Sequence, residues 1–409
     1  MTNPILKIRN REFEKRDLLL YLLAAMNFSH IVDFMIMMPL GDYLMNSFNI
    51  GPGEFSVIVS AYTFSAGISS FFAAFLIDRF DRKTALIFTF TGFSVGTVLV
   101  GLANSYLLLV AARSLTGIFG GLVAALVLSV VSDLYSYRER GKAMGVVSAA
   151  FALASVIGVP IGLYLASQFS WHAPFFMVGG LASVFTIVTA FVFPKMKGHI
   201  SSLPKPKPLQ VIKNVISDRN QVYALLMGMT IILGQFLLVP FLTPYMMRNV
   251  GFSEETVTLI YLFGGGAVVF SAPLVGRLTD RIGPLKVFTI FLLSSFVLVL
   301  TITNLPKVPI YIALILTTIF FMMVNGRMIP ANTMITAAVS PETRGSFMSF
   351  KSSIQQLSAA LASLVSGAIM VIGDDGLFHN YNWVGILSIC VSATSFLLAP
   401  RLKVAKGNE

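Results

Sequence analysis

The sequence predicts an all-α integral membrane protein, with twelve transmembrane helices arranged as two pseudo-symmetric six-helix bundles. Three observations carry this reading. Apolar stretches of roughly twenty residues or more, the length that crosses a bilayer, recur about twelve times along the chain. Lys and Arg gather in the tails and in every second loop, the bias that marks a cytoplasmic face. Two short polar motifs of the first half return in the second half at nearly one offset.

Composition and charge agree with that class. With 56% hydrophobic and 11% charged residues, the chain is too apolar for an ordinary soluble protein. The first stretch, MTNPILKIRNREFEKR, is polar and basic, and the apolar run behind it exceeds a signal peptide. An uncleaved cytoplasmic tail over 1–17 is therefore expected. The net charge of +11 would suit nucleic acid, but its placement explains it. The alternate loops opposite the basic ones hold only Arg248 and Lys307 beside Asp42, Glu54, Glu254, Glu255, Asp374 and Asp375. Both termini are thus expected in the cytoplasm of a cell whose membrane lipid surrounds the chain, with no nucleic-acid partner.

The N-terminal bundle, 18–193, should hold spans near 18–45, 55–77, 84–103, 106–133, 143–168 and 173–193. A basic linker follows over 194–221. Its LQVIKNVI portion reads equally as a short surface helix or as a solvated segment. The C-terminal bundle, 222–399, should hold spans near 222–247, 255–278, 287–304, 309–338, 346–372 and 382–399, and a cytoplasmic tail closes the chain over 400–409. The single cysteine, Cys390, lies in an apolar run, where packing is the expected role.

The first span contains SHIVDFMIMMPL, with His30 and Asp33 three residues apart near its middle. An acid there is unfavourable by roughly 2.5–3.5 kcal/mol on insertion scales, so it asks for a function or a partner. Burial disfavours the charged form of both groups, which suits a site that gains and loses a proton. Three cations also sit in apolar runs: Arg113, Arg327 and Lys351. Gly326 and Pro330 flank Arg327 and should loosen the helix there. Lys351 shares a face with Gln355 and either lines a cavity or reaches the aqueous edge.

The repeat is specific. FLIDRFDRKTAL follows the second span and GRLTDRIGPLKV the eighth; YRERGKAMG precedes the fifth and PETRGSFMS the eleventh. Asp78 and Asp280 are 202 residues apart, and Gly141 and Gly345 are 204 apart. Duplicated halves of this kind bind solute near the midplane between them and rock one against the other.

These residues resemble the major facilitator superfamily over essentially the whole chain. Its signature Gly-x-x-x-Asp-Arg-x-Gly-Arg-Lys is approached by Ala74, Asp78, Arg79, Asp81, Arg82 and Lys83, with both glycines replaced, and by Gly276, Asp280, Arg281 and Gly283 in the second copy. AARSLTGIFGG is similar to the family's Arg-x-x-x-Gly element through Arg113 and Gly117. ASVIGVPIG resembles the exporters' fifth-span motif at Gly158 and Gly162, with Pro160 one place late. FSWHAPFF resembles their Trp-Arg-x-x-Phe element, with His172 in place of arginine. The form is that of the drug and sugar efflux members of the twelve-helix drug:proton antiporter group.

The resemblance implies a carrier that works by alternating access, exchanging protons for a small amphiphilic or lipophilic solute. It implies proton coupling at Asp33, with His30 and Arg113 as candidate helpers. Arg113 either tunes the acid or holds the fourth span against the first. Candidate solute contacts are Arg327, Lys351, Gln355, Gln235, Asn325, Phe34, Phe236 and Tyr245; the two cations predict a solute with a negative or zwitterionic group. Asp78, Arg79, Arg82, Gly276, Asp280 and Arg281 are candidate gates, with Asp78 facing the start of the eleventh span and Asp280 that of the fifth. Gly117, Gly158, Pro160 and Gly162 are candidate packing residues. Proton symport and export of sugars or nucleosides remain open.

Other classes lack their residues. His30, His172, His199 and His379 are scattered and no His-Glu-x-x-His, paired-acid helix or Walker motif occurs. No enzyme activity, metal or cofactor is expected, and a monomer is. A channel would not need duplicated gate motifs.

Overall fold

The computed structural model describes the backbone of residues 4–76, 79–197, 208–340 and 343–405. Helix α1 (Pro4–Ile36) stops short of its expected end. Pro39 has no N–H to donate and disfavours helical backbone at Met38, so 37–40 form a turn. The chain resumes as α2 (Gly41–Phe48), ended by Asn49 in the left-handed region at φ 50°. The single span expected over 18–45 is therefore two pieces, with Asp33 one turn before the break.

The other spans of the first half are α3 (Pro52–Leu76), α4 (Arg82–Gly101), α5 (Tyr106–Leu134), α6 (Tyr137–Leu153) continued by α7 (Val159–Gln168), and α8 (Ala173–Val192). Between α6 and α7, Ala154–Gly158 form a π turn in which the Val159 N–H reaches back to the Ala154 carbonyl. Pro160 explains the widening, since it cannot donate to the carbonyl of Val156. His172, at the arginine position of the exporter element, places Nδ1 2.8 Å from the Gly101 carbonyl.

The linker contains a helix, α9 (Pro208–Ser217), which buries Val215 in the core of the second half. Then follow α10 (Arg219–Tyr245), α11 (Thr258–Ile282), α12 (Pro284–Thr303), α13 (Ile310–Gly326) with α14 (Met328–Ala337), α15 (Arg344–Ile369) and α16 (Tyr381–Leu398). Pro330 cannot donate to the Gly326 carbonyl, and the tenth span breaks at Arg327. A two-stranded antiparallel hairpin, β1 (Val371–Ile372) and β2 (Phe378–His379), joins the last two spans.

Among the described residues, eleven helices are long and apolar enough to cross a membrane. The remaining span, α15, has 26 residues but carries KSSIQQ, which lowers its hydropathy; it packs between α3 and α10. Large apolar side chains such as Leu107, Phe191 and Phe270 are exposed on the outside, as a lipid-facing surface requires. Cys390 is exposed there too, so packing is not its role.

The basic loops gather at the end that carries the termini. Arg16 pairs with Glu139 at 3.1 Å, the Met196 N–H donates to Asp81, and Asn220 bonds to the Lys403 carbonyl. At this terminal end each half keeps its own apolar core, one around Phe90 and Leu126, the other around Phe288 and Ile335. At the opposite end one core spans both halves, from Met37 and Phe55 to Phe241 and Tyr381. There Arg248 pairs with Asp42 and donates to Asn46 Oδ1 at 2.7 Å, tying α2 to the seventh span.

Candidate functional site

Asp33 projects from α1 into the middle of the first bundle and is fully buried. Its Oδ2 accepts from Arg113 Nη1 at 2.9 Å and its Oδ1 from Thr97 Oγ1 at 3.2 Å. The buried acid thus has both a counter-charge and a neutral donor, the arrangement that makes a carboxylate tolerable away from water. Arg113 on α5 lies over the Tyr62 ring, 4.4 Å from its centroid. Gly117 makes this approach possible, because a Cβ there would collide with the Tyr62 carbonyl and push α5 off α3. Gly158 and Gly162 likewise let the fifth span close on Val32 and Ile36 of α1, beside Asp33.

His30 is buried one turn earlier, between Phe93 at 5.9 Å and Tyr62 at 6.4 Å, ring to ring. Neither imidazole nitrogen has a hydrogen-bond partner, and neither does the Tyr62 hydroxyl. The structure therefore joins Asp33 to Arg113 and leaves His30 outside that pair. Thr97 and Tyr62 were missed in the sequence because nothing local marks a polar residue as facing a neighbour's acid.

A cavity of about 590 Å³ lies between the halves at mid-depth. Of the residues expected to meet solute, Phe34, Gln235, Phe236, Asn325 and Gln355 line it. Ser155, Tyr261, Ser352 and Gln356 also line it and were not singled out; the adjacent Gln355–Gln356 pair was the available signal for the last. None of the lining residues carries a charge at neutral pH.

Three expected contacts are corrected. Arg327 is buried but turns away from the cavity, with Nη1 donating to Ser295 Oγ of α12 at 3.2 Å. The break at its own position swings it towards the ninth span. Lys351 is 8% exposed, so it does not reach the aqueous edge, and it is not among the residues that line this cavity; its Nζ donates to Asn332 Oδ1 at 2.6 Å. Tyr245 stacks on Tyr381 at 4.6 Å and donates to the Leu305 carbonyl, outside the cavity.

The gate residues divide in the same way. Asp78 lies outside the described residues. Arg82 is buried and its Nε donates to Asp133 Oδ2 at 2.8 Å, so it braces α4 against α5 within one half. Arg79, Asp280 and Arg281 are exposed, and a Cβ on Gly276 or on Gly141 would meet nothing within 4 Å. The terminal halves of the fifth and eighth spans are thus apart. They pack closely deeper in, where Gly265 lies against Ser155. Among the described residues no cluster of His, Cys, Asp and Glu could hold a metal ion.

The family model for the Major Facilitator Superfamily matches residues 19–232 and 224–407. The chain belongs to the major facilitator superfamily. It is 26% identical over 378 residues to the multidrug resistance protein MdtG of Proteus mirabilis, covering 89% of this chain and 91% of that one. It is 22% identical over 363 residues to multidrug resistance protein 2 of Bacillus subtilis, covering 87% and 88%. Its fold matches the inward-facing, unoccupied structure of a bacterial homologue of the human lysosomal transporter Spinster, with a TM-score of 0.78, 16% identity and coverage of 96% and 99%. As a major facilitator protein the chain is a multi-pass membrane transporter of small solutes and not an enzyme. The split cavity and the paired bundles are the parts that such a carrier needs.

Proposed function

We propose that this transporter is a proton-driven antiporter that exports small amphiphilic solutes from the cell by alternating access, with the terminal end facing the cytoplasm. The observation that carries this reading is the position of Asp33. It is fully buried against Arg113, and the two residues after it include Phe34 and Met35, which line the solute cavity. Protonation of Asp33 removes the charge that holds Arg113, so the packing of α1 against α5 differs between the two protonation states. A change at that contact passes directly into the cavity wall. Each charge crossing about 100 mV contributes roughly 2.3 kcal/mol, enough for about fiftyfold accumulation of solute.

The basic loops of the terminal end support a cytoplasmic placement, and the cell membrane as the site of action. The glycines of the fifth span and the similarity to two multidrug resistance proteins support export. Asp280, exposed in this structure, would meet the start of the fifth span only when the terminal end closes.

The test is uphill transport in vesicles under an imposed pH gradient. The Asp33→Asn variant is expected to lose uphill movement and solute-dependent proton flux while retaining downhill exchange. Native-rate uphill transport by that variant would end the proposal.

A further inference from the structure

We infer that the cavity accepts an uncharged amphiphile, whose apolar ring face packs on the N-terminal half and whose hydroxyl or amide edge is held by the C-terminal half. This deepens the reading of the cavity as the solute site, and does not depend on proton coupling.

The two walls differ in chemistry. The N-terminal wall is Phe34, Met35, Met38 and Phe151, with Ser155 as its one polar residue. The Ser155 hydroxyl is already used, donating to the Phe151 carbonyl at 3.0 Å. Aromatic and thioether side chains of this kind fit flat apolar faces without fixing one shape.

The opposite wall carries side-chain amides with free capacity. Gln235 Oε1 is buried with no partner. Asn325 donates Nδ2 to the Phe321 carbonyl at 2.9 Å, which leaves its oxygen to accept. Among the described residues, the amides of Gln355 and Gln356 make no hydrogen bond within the protein. These four amides, set among Ile232, Phe236, Val239, Val268, Phe321 and Met328, offer donors and acceptors together, which matches hydroxyl and amide groups. A buried donor or acceptor left unmade is costly, so solutes lacking the polar edge are disfavoured.

A formal charge has no partner here. Asp33 is committed to Arg113, Lys351 to Asn332, and the Arg327 guanidinium faces Ser295. Moving a charged group from water to such a surface costs more than these amides return. The cavity volume of about 590 Å³ suits a solute of one ring system plus a polar appendage.

The test is equilibrium binding to the purified protein in lipid nanodiscs with no ion gradient. Four probes share one aromatic body: 4-nitrophenyl β-glucoside, the matching glucuronide, the matching glucosaminide and 4-nitrophenyl pentyl ether. The glucoside is expected to bind at least about tenfold tighter than each of the others, and Gln355→Leu and Gln356→Leu each to weaken it by roughly tenfold. Isosteric Gln355→Glu should shift the preference to the amine-bearing glucosaminide, a gain that a misfolded variant cannot produce. Tighter binding of either charged sugar or of the ether by the native protein, no saturable glucoside binding, or unchanged affinity in the glutamine variants would overturn the inference. Binding is read here without any ion gradient, whereas proton coupling is read as uphill transport in vesicles. Failure of proton coupling and failure of this assignment are therefore seen separately.

Discussion

In the N-terminal half the buried acid Asp33 and the buried base Arg113 lie 2.9 Å apart, whereas in the C-terminal half Arg327 and Lys351 are buried against a serine and an asparagine. The first arrangement is neutral as a pair and gains a net positive charge when one proton arrives. The second keeps cationic groups with neutral partners, and no acid among the described residues answers them. One half therefore holds a buried ion pair, and the other two buried cations with neutral partners.

The largest expected effect tests this contrast directly. Arg113→Met leaves Asp33 buried without its counter-charge and should destabilise the purified protein by about 3–5 kcal/mol at a pH where the acid is ionised. Arg327→Met removes a buried cation that has no acid partner and should cost under about 1 kcal/mol, or stabilise. Denaturant unfolding in detergent measures both, and equal losses would erase the distinction between the halves.

Next in size is Lys351→Met, which leaves Asn332 Oδ1 without its donor. A loss of about 1–2 kcal/mol is expected, with solute affinity within threefold of native because Lys351 is outside the cavity. A much larger loss of affinity, read by the same nanodisc binding, would place this lysine in the solute site after all.

The two ends offer a milder test. Asp42→Asn weakens the Arg248 contact that holds the far end shut, a partly exposed pair worth roughly 0.5–1 kcal/mol. Spin labels across the far end should then report a few-fold rise in the open population. No change in their distances would mean that the shared apolar core alone keeps that end closed.

The smallest effect belongs to Gly276→Ala. A Cβ there meets nothing, and an interior helical glycine replaced by alanine gains about 0.5–1 kcal/mol. Stability should rise slightly while transport slows, if this surface must pack closely when the terminal end closes. Unaltered turnover would remove Gly276 from the gate.

The same contrast shows what could be read in advance. Asp33 and Arg113 were each visible as charges in apolar runs, but they are eighty residues apart, and only the approach of α5 to α1 makes them a pair. Arg327 and Lys351 were equally visible as buried cations, yet their direction was not. The backbone break after Gly326 aims Arg327 at α12, and Asn332 captures Lys351 from the neighbouring helix. Gln235, Asn325 and Gln355 were found as polar residues in membrane-length segments, which are expensive to bury without a use.

The sequence by itself determined the spans, the basic end and the duplicated halves, because bilayer thickness and charge placement act on local stretches of chain. Tertiary structure decided which helix faces meet, which charges pair and which end is closed. In lipid, apolar faces gain little from choosing one another. The choice falls to glycine contacts and to hydrogen bonds between distant residues, and neither has a local signature.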